Sequence, residues 1–315
     1  MTSEKQQNLT VFKIQGFTDI PELQLPIFSL FLFIYCIIIG SNLTIFLVIL
    51  CDSYLHTPMY IFLMNISVID IANASNILPK LLNILLTRHK TILFLECIIQ
   101  MYFFISLTST EILLLAAMAY DRYVAICHPL HYLTMMDLRH TAAFAVISWA
   151  VAFLDPIGHA VLVSKMSYCG SHIIDHFFCD VTPLLKLSCS DTSKMDILNV
   201  FDGTFIAFPA FFLTLTSYVF IISTVLKIKS AEGQRKAFST CTSHLTCVTI
   251  FYGTLISLYM RPTSSYSPRQ DRYFALLYVV LIPLLNPVIY TLKNQDVKDA
   301  LRKLMKKVMF VEKYK

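Results

Sequence analysis

Residues 23–51 read LQLPIFSLFLFIYCIIIGSNLTIFLVILC, 29 consecutive positions without Asp, Glu, Lys or Arg. A helix needs about 20 mainly apolar residues to cross a hydrocarbon core about 30 Å thick. The stretch is too long, and too polar around Asn42, for a cleaved signal peptide, and no small-residue cleavage site follows it. It reads as a membrane span. Working outward, Gly203 to Leu226 and Ala237 to Met260 are each 24 uncharged residues, and Tyr273 to Leu292 is 20. Three more apolar stretches carry one acid each: Met59 to Pro79 with Asp70, Cys97 to Tyr120 with Glu111, and Thr141 to Ser164 with Asp155.

The whole 315-residue chain shares this character, with 56% hydrophobic and 14% charged residues, against about 25% charged in ordinary soluble domains. Disorder, collagen-like repeats and charge-rich coiled coils are excluded. A soluble protein this apolar would expose large greasy patches. The predicted fold is an all-α membrane protein, a seven-transmembrane helix bundle with a short amphipathic C-terminal helix. The spans are predicted at 25–51, 58–82, 95–127, 140–163, 196–228, 235–260 and 271–292, within one unit of residues 25–292. A tail, 1–24, precedes them, and an amphipathic helix and tail, 293–315, follow.

Seven spans put the termini on opposite sides, and the Lys/Arg bias chooses which. With the N-terminus outside, 14 of the 25 basic residues fall in the second and third inner loops and the tail. The basic excess then reads as cytoplasmic flanks at the plasma membrane, not as a nucleic-acid surface. The tail puts Val297, Leu301, Leu304, Met305 and Val308 on one face, with Lys298, Arg302, Lys303, Lys306 and Lys307 toward anionic membrane lipid. Cys97, Cys169, Cys179 and Cys189 all fall outside, where pairing is expected, and four cysteines allow three pairings. Asn8-Leu9-Thr10 is a glycosylation sequon on the outer tail.

Span three ends in Met118-Ala119-Tyr120-Asp121-Arg122-Tyr123-Val124-Ala125-Ile126-Cys127, and span seven carries Pro283-Leu284-Leu285-Asn286-Pro287-Val288-Ile289-Tyr290. The Asp-Arg-Tyr triplet and the Asn-Pro-x-x-Tyr motif, in spans three and seven of seven, resemble the rhodopsin-like G-protein-coupled receptors. Pro58-Met59-Tyr60-Ile61-Phe62-Leu63, Lys236-Ala237-Phe238-Ser239-Thr240-Cys241-Thr242-Ser243-His244-Leu245 and the long loop with Cys169, Cys179 and Cys189 narrow the match. From about Phe17 to Arg302 the chain resembles the vertebrate odorant receptors. Two departures are visible: Gly40-Ser41-Asn42 where the family reads Gly-Asn, and Leu284 where Met is more usual.

The resemblance implies a receptor that binds a small-molecule odorant and activates a heterotrimeric G protein of the Gs/Golf type, raising cyclic AMP. It implies residence in the cilia of olfactory sensory neurons. It pairs Cys97 with Cys179 and Cys169 with Cys189, which removes these thiolates from any metal site with His172 and His176. It gives Asp121, Arg122 and Tyr123 a lock at the G-protein face, with Tyr218 and Tyr290 moving inward on activation. Lys236 and His244 would hold span six closed, and Pro287 beside Asn286 kinks span seven.

Depth singles out two acids. At about 1.5 Å per residue, Glu111 lies about 16 Å above Arg122 and Asp70 about 18 Å above Pro58, both near the midplane. Each ionised carboxylate there costs at least about 2.5 kcal/mol, so both face the bundle interior. With Asn42 and Asn286 they form the network in which the resemblance places a sodium ion, held at Asp70 and Glu111; no other cofactor is expected. A static hydrogen-bonded network with one acid protonated is the alternative.

The ligand pocket is expected above the acids. Phe104, Ile105, Thr108, Ser109 and Ile112 share one face of span three, and Tyr252, Leu255 and Tyr259 form a matching stripe on span six. Asn199, Asp202, Gly203 and Ile206 on span five and Val279 on span seven complete the set. Asp202, near the outer end of span five, reads as a capping or solvated acid, the alternative being a pocket-facing acid that pairs with an amine or hydrogen-bonds a hydroxyl of the odorant. Span three has Phe104 at the level where amine receptors carry an acid, which argues against an amine ligand. An enzyme is excluded on motif grounds: neither Gly-x-Ser-x-Gly nor His-Glu-x-x-His occurs. A non-olfactory small-molecule receptor is the nearest alternative. A secondary transporter would favour an internal repeat, and none is seen.

Overall fold

The computed structural model describes residues 11–18, 20–169, 171–259, 268–293 and 295–312. Span one is α1 (Pro21–Cys51), span two α2 (Pro58–Thr87) and span three α3 (Phe94–Cys127). A single turn, α4 (Tyr132–Met135), leads to span four, which is split into α5 (Leu138–Leu154) and α6 (Ile157–Ser164). After α7 (Val181–Leu187), span five runs through α8 (Ser193–Asp202), a π turn at Gly203–Ala207 and α9 (Phe208–Leu226). Span six is α10 (Ala231–Tyr259). Span seven is α11 (Pro268–Leu276), a second π turn at Leu277–Leu281 and α12 (Ile282–Lys293), and α13 (Gln295–Glu312) follows.

Local chemistry fixes several boundaries. Pro21 and Pro58 open α1 and α2, where the missing N–H costs nothing. Asp137 caps α5 by accepting from His140 N at 2.7 Å, and that bond holds its carboxyl below the usual range. Span two runs to Thr87, five residues past the predicted 82, because Ile84 and Leu85 are buried and the chain turns only at Arg88, at φ 62. Span one likewise starts four residues before the predicted 25.

Six of these helices are long and apolar enough to cross a membrane, and α10 adds a shorter apolar stretch, His244–Leu258. Large apolar side chains such as Leu25, Phe33, Phe205 and Phe212 point outward, the surface of a bundle solvated by lipid. The chain is a multi-pass membrane protein.

The tail ahead of span one contains a strand that the reading of the spans did not anticipate. β1 (Val11–Ile14) is the middle strand of a three-stranded sheet, antiparallel to β2 (Thr91–Leu93) and parallel to β3 (Ile173–Ile174). Phe12 and Ile14 face inward, and Gly16, at φ 77, turns the chain so that Phe17 stacks on Phe31 of α1 and Phe177 of the long loop. Length alone did not reveal this, because a four-residue strand is set by partners 80 and 160 positions away.

Candidate functional site

The buried polar groups form two levels in the bundle. At the lower level Asn286 donates to Asp70 Oδ2 at 3.1 Å and to Oδ1 at 3.4 Å, joining α12 to α2. Asn42 donates to Pro283 O and to Ile38 O, each at 3.0 Å, which ties α1 to the carbonyl beside the span-seven proline. At the upper level Tyr278, in the second π turn, places its hydroxyl 3.0 Å from Glu111 Oε2 and 3.0 Å from Thr108 Oγ1. Asp70 and Glu111 are 1% and 3% exposed, and the charge of one acts on the other. Asn42, Asp70 and Asn286 therefore sit at the level of Pro283, whereas Glu111 belongs with Tyr278, which sequence reasoning missed.

These residues suit a small hard cation. Asn73 lies three residues from Asp70 on the same face of α2, and its buried Oδ1 has no hydrogen-bond partner among the described residues. Two carboxyl groups and an amide oxygen are an oxygen-only donor set, the kind that sodium-like ions take.

Above this network Phe104 packs against Phe178 of the long loop and against Tyr278, with ring centroids 4.9 and 5.6 Å apart. Phe104, Thr108, Ser109 and Ile112 are buried on α3, and Tyr252 and Val279 on the facing helices. Tyr252 meets Phe211 of α9 edge-on at 5.1 Å. Leu255 packs on the same core, whereas Ile105 packs with a separate cluster under the sheet. Gly203 and Ile206 lie in the span-five π turn, half-buried. The Tyr259 side chain is outside the described residues. Thr108 and Ser109 are thus hydroxyls in a wall of aromatic and aliphatic groups, the composition of a small-molecule site. A groove of about 480 Å³ lies elsewhere, between α2 and α3, lined by Asn76, Lys80, Glu96 and Gln100.

Asp202 is placed differently from its predicted capping or solvated role. It stands at the junction of α8 and the π turn, inside the span, and its Oδ2 is 3.1 Å from His159 Nε2 on span four. Asn199, one turn earlier, accepts from the same nitrogen through Oδ1 at 3.1 Å.

At the far end of span three Arg122 donates Nε to Asp121 Oδ2 at 2.9 Å, and a second guanidinium nitrogen closes on the same oxygen. Tyr132, from α4, donates to Asp121 Oδ1 at 2.8 Å. Burial and the Asp121 carboxylate hold the Tyr132 phenol above its ordinary range. The residue was not anticipated, since nothing in the spacing links it to Asp121. Tyr123 pairs with His128 Nε2 at 2.9 Å. Tyr218 and His244 meet at 2.6 Å between hydroxyl and Nδ1, joining spans five and six. Pro287 sits inside α12. The side chains of Lys236 and Tyr290, and all of Asn8, are outside the described residues.

At the other end Cys97 is bonded to Cys179 and Cys169 to Cys189, with Cα–Cα distances of 5.4 and 5.9 Å. The first holds the long loop against α3, where Gln100 Oε1 also accepts from Cys179 N at 2.9 Å. Arg272 of α11 donates to Gly16 O at 3.1 Å and faces Asp175 at 3.6 Å, so sheet, loop and span seven close together. His176 is buried beneath them, and burial with the Arg272 charge pushes its imidazole down to about 3.

The family model described as olfactory receptor matches residues 31–308. The mouse protein named olfactory receptor 5AR1 is 46% identical over 98% of this chain and 99% of its own length. Human olfactory receptor 5B2 is 43% identical over 96% of the chain and 98% of its own. Human olfactory receptor 5I1 is 44% identical over 95% of each. An Asp-Arg-Tyr triplet, an Asn-Pro-x-x-Tyr span and a disulfide-held aromatic roof thus occur in a chain of matching length, and the chain belongs to the olfactory receptor family, a family of receptors and not of enzymes.

Proposed function

We propose that this receptor binds a small odorant between spans three, five, six and seven and activates a Gs/Golf-type G protein, raising cyclic AMP. The observation that carries the reading is the double hydrogen bond of Tyr278, which joins the Thr108 wall to the buried acid Glu111. A ligand seated against Phe104, Thr108 and Ser109 displaces or reorients Tyr278 and so acts on the network that runs down span seven to Asn286. Conformational change follows because the ligand favours one arrangement of these bonds over the other.

Asp70 and Glu111, with Asn73 Oδ1, would hold a sodium ion, which supplies the positive charge two ionised acids need in a bilayer. The disulfide end with Asn8 faces outside, and Arg122, the loop around α4 and the basic helix α13 face the cytoplasm, in ciliary plasma membrane of olfactory neurons. Arg122 is held by Asp121 at rest, and its release opens the face to the G protein.

A cyclic AMP reporter screened against volatile alcohols, acids, aldehydes and amines tests the reading. A response is expected in the wild type and none in Arg122→Ala at equal surface expression. Ligand-driven current without any G protein would refute it. Asp70→Asn should abolish the sodium dependence of agonist potency, and an unchanged sodium profile would remove the ion from the mechanism.

A further inference from the structure

Spans four and five are irregular at the same level. α5 stops at Leu154 and α6 resumes at Ile157 beyond Pro156, while α8 gives way to the π turn at Gly203. Such turns inside helices are frequent at functional sites. The two helices pack closely here: a Cβ on Gly158 would meet Leu198 at 3.0 Å. Between the irregularities sit Asp155, His159, Asn199 and Asp202. His159 Nε2 is 3.1 Å from both Asp202 Oδ2 and Asn199 Oδ1, and Asp155, four residues before His159 across Pro156, acts electrostatically on Asp202 and His159.

Two features show that the cluster is incomplete. His159 is 3% exposed, and among the described residues its Nδ1 has no partner. Asp202 Oδ1 is buried and likewise has none, although Asp202 as a whole side chain is 21% exposed. The cluster therefore has an open side, bordered by exposed Asn199, and an acceptor without a donor.

Asp155 and Asp202 are two carboxyl groups close enough for the charge of one to act on the other. Side by side in a bilayer they do not both stay ionised unless a cation sits between them. The charged groups facing Asp155 among the described residues are Asp202 and His159. Of the other elements packed on α6, α3 turns Tyr102 to Phe153 O instead, and Lys186 of α7 faces Asp271. A proton held by one of the two acids can serve as that cation, and a larger monocation with N–H donors can replace it.

We propose that Asp155, Asp202 and His159 form a binding site for protonated primary amines, so that the ligand class of this receptor includes them. This deepens the reading above and rests on it only for the signalling consequence. The ammonium gives one N–H to each carboxylate and one to Asp202 Oδ1 or Asn199. The proton held by one of the two acids leaves to water, so each R–NH3⁺ bound releases one H⁺ and no covalent bond changes. His159 keeps Asp202 oriented through Nε2–H. The absence of an acid at the level of Phe104 on span three is answered by two acids on spans four and five.

The test uses the full-length receptor in phospholipid nanodiscs at constant sodium, with thermal unfolding followed against n-butylammonium and butyltrimethylammonium. The first should raise the melting temperature. Its potency should fall about tenfold for each unit by which the pH is lowered, over the range where the acid pair holds its proton, since each amine bound releases one proton. The trimethylated ion has the same charge but no N–H and should give no shift. Asp155→Asn and Asp202→Asn should each abolish the effect. No shift, an equal shift with both cations, a pH-independent shift, or a shift surviving both substitutions would overturn the proposal. The two-cation and pH comparisons need only wild-type protein, so a misfolded variant does not rescue it. A positive melting shift with a silent cyclic AMP screen would refute the receptor reading and leave the amine site standing.

Discussion

Tyr278 makes two contacts with one phenolic hydrogen, to Thr108 Oγ1 and Glu111 Oε2. Removing a donor from a buried acid costs about 1–3 kcal/mol, because the acid keeps its desolvation and loses its partner. Tyr278→Phe should therefore lower thermal stability by about that much. Glu111→Gln in the same background should add much less than it does alone, giving a coupling of at least about 0.5 kcal/mol in a double-mutant cycle. Strict additivity would mean that the two side chains do not act together. Helical spacing pointed to Val279 on this face, one residue away from Tyr278. The π turn at Leu277–Leu281 inserts an extra residue per turn and rotates the face, and periodicity alone does not register it. Asp202 likewise adjoins a π turn, Gly203–Ala207, and helical spacing left open which way it faces. By contrast Asp70, Glu111 and Asn286 were legible as buried polar groups, because an ionisable or strongly polar group deep in an apolar run has few roles open to it.

At the scale of elements, the seven helices were readable from uncharged runs, whereas the sheet that roofs them was not. β1 reaches β2 and β3 only after α2, α3 and the long loop are in place, so its signal is tertiary. That roof contains a titratable weak point. His176 is 2% exposed, lies against Phe177 and Phe178, and is pushed down to about 3. A base whose folded value lies below its unfolded value of about 6.5 favours the fold while neutral. Its contribution is present above about pH 6.5 and is lost as pH falls from there toward 3. At about 1.4 kcal/mol per unit, lowering the pH to 5 removes about 2 kcal/mol of local stability. Hydrogen exchange of residues 171–178 should quicken at pH 5, and His176→Gln should flatten that dependence while the core of α3 stays protected. A uniform loss of protection across the bundle would show that His176 is not the group responsible.

The whole molecule is held at the end away from Arg122 by two disulfides of different span, 82 residues for Cys97–Cys179 and 20 for Cys169–Cys189. For a chain unfolding in water, two doublings of loop length add about 1.2 kcal/mol to the longer bridge. A bilayer changes the comparison. Spanning helices keep their backbone hydrogen bonds in lipid even when packing is lost, because hydrocarbon offers no substitute partner. Much of the 82-residue loop consists of α3, α5 and α6, so only its extramembrane segments gain freedom on unfolding. The 20-residue loop contains α7 and short connections with no spanning helix, and it gains freedom throughout. Removing Cys169–Cys189 by paired serine substitution should therefore cost as much stability in nanodiscs as removing Cys97–Cys179, within about 1 kcal/mol on the loop-closure scale. In a denaturant that unravels the spans, the longer bridge should regain its advantage. If Cys97→Ser/Cys179→Ser already lost more by the full soluble-chain margin in nanodiscs, spans three and four would have to unwind on unfolding. The bilayer would then not be the constraint that the 29-residue uncharged run of span one implies.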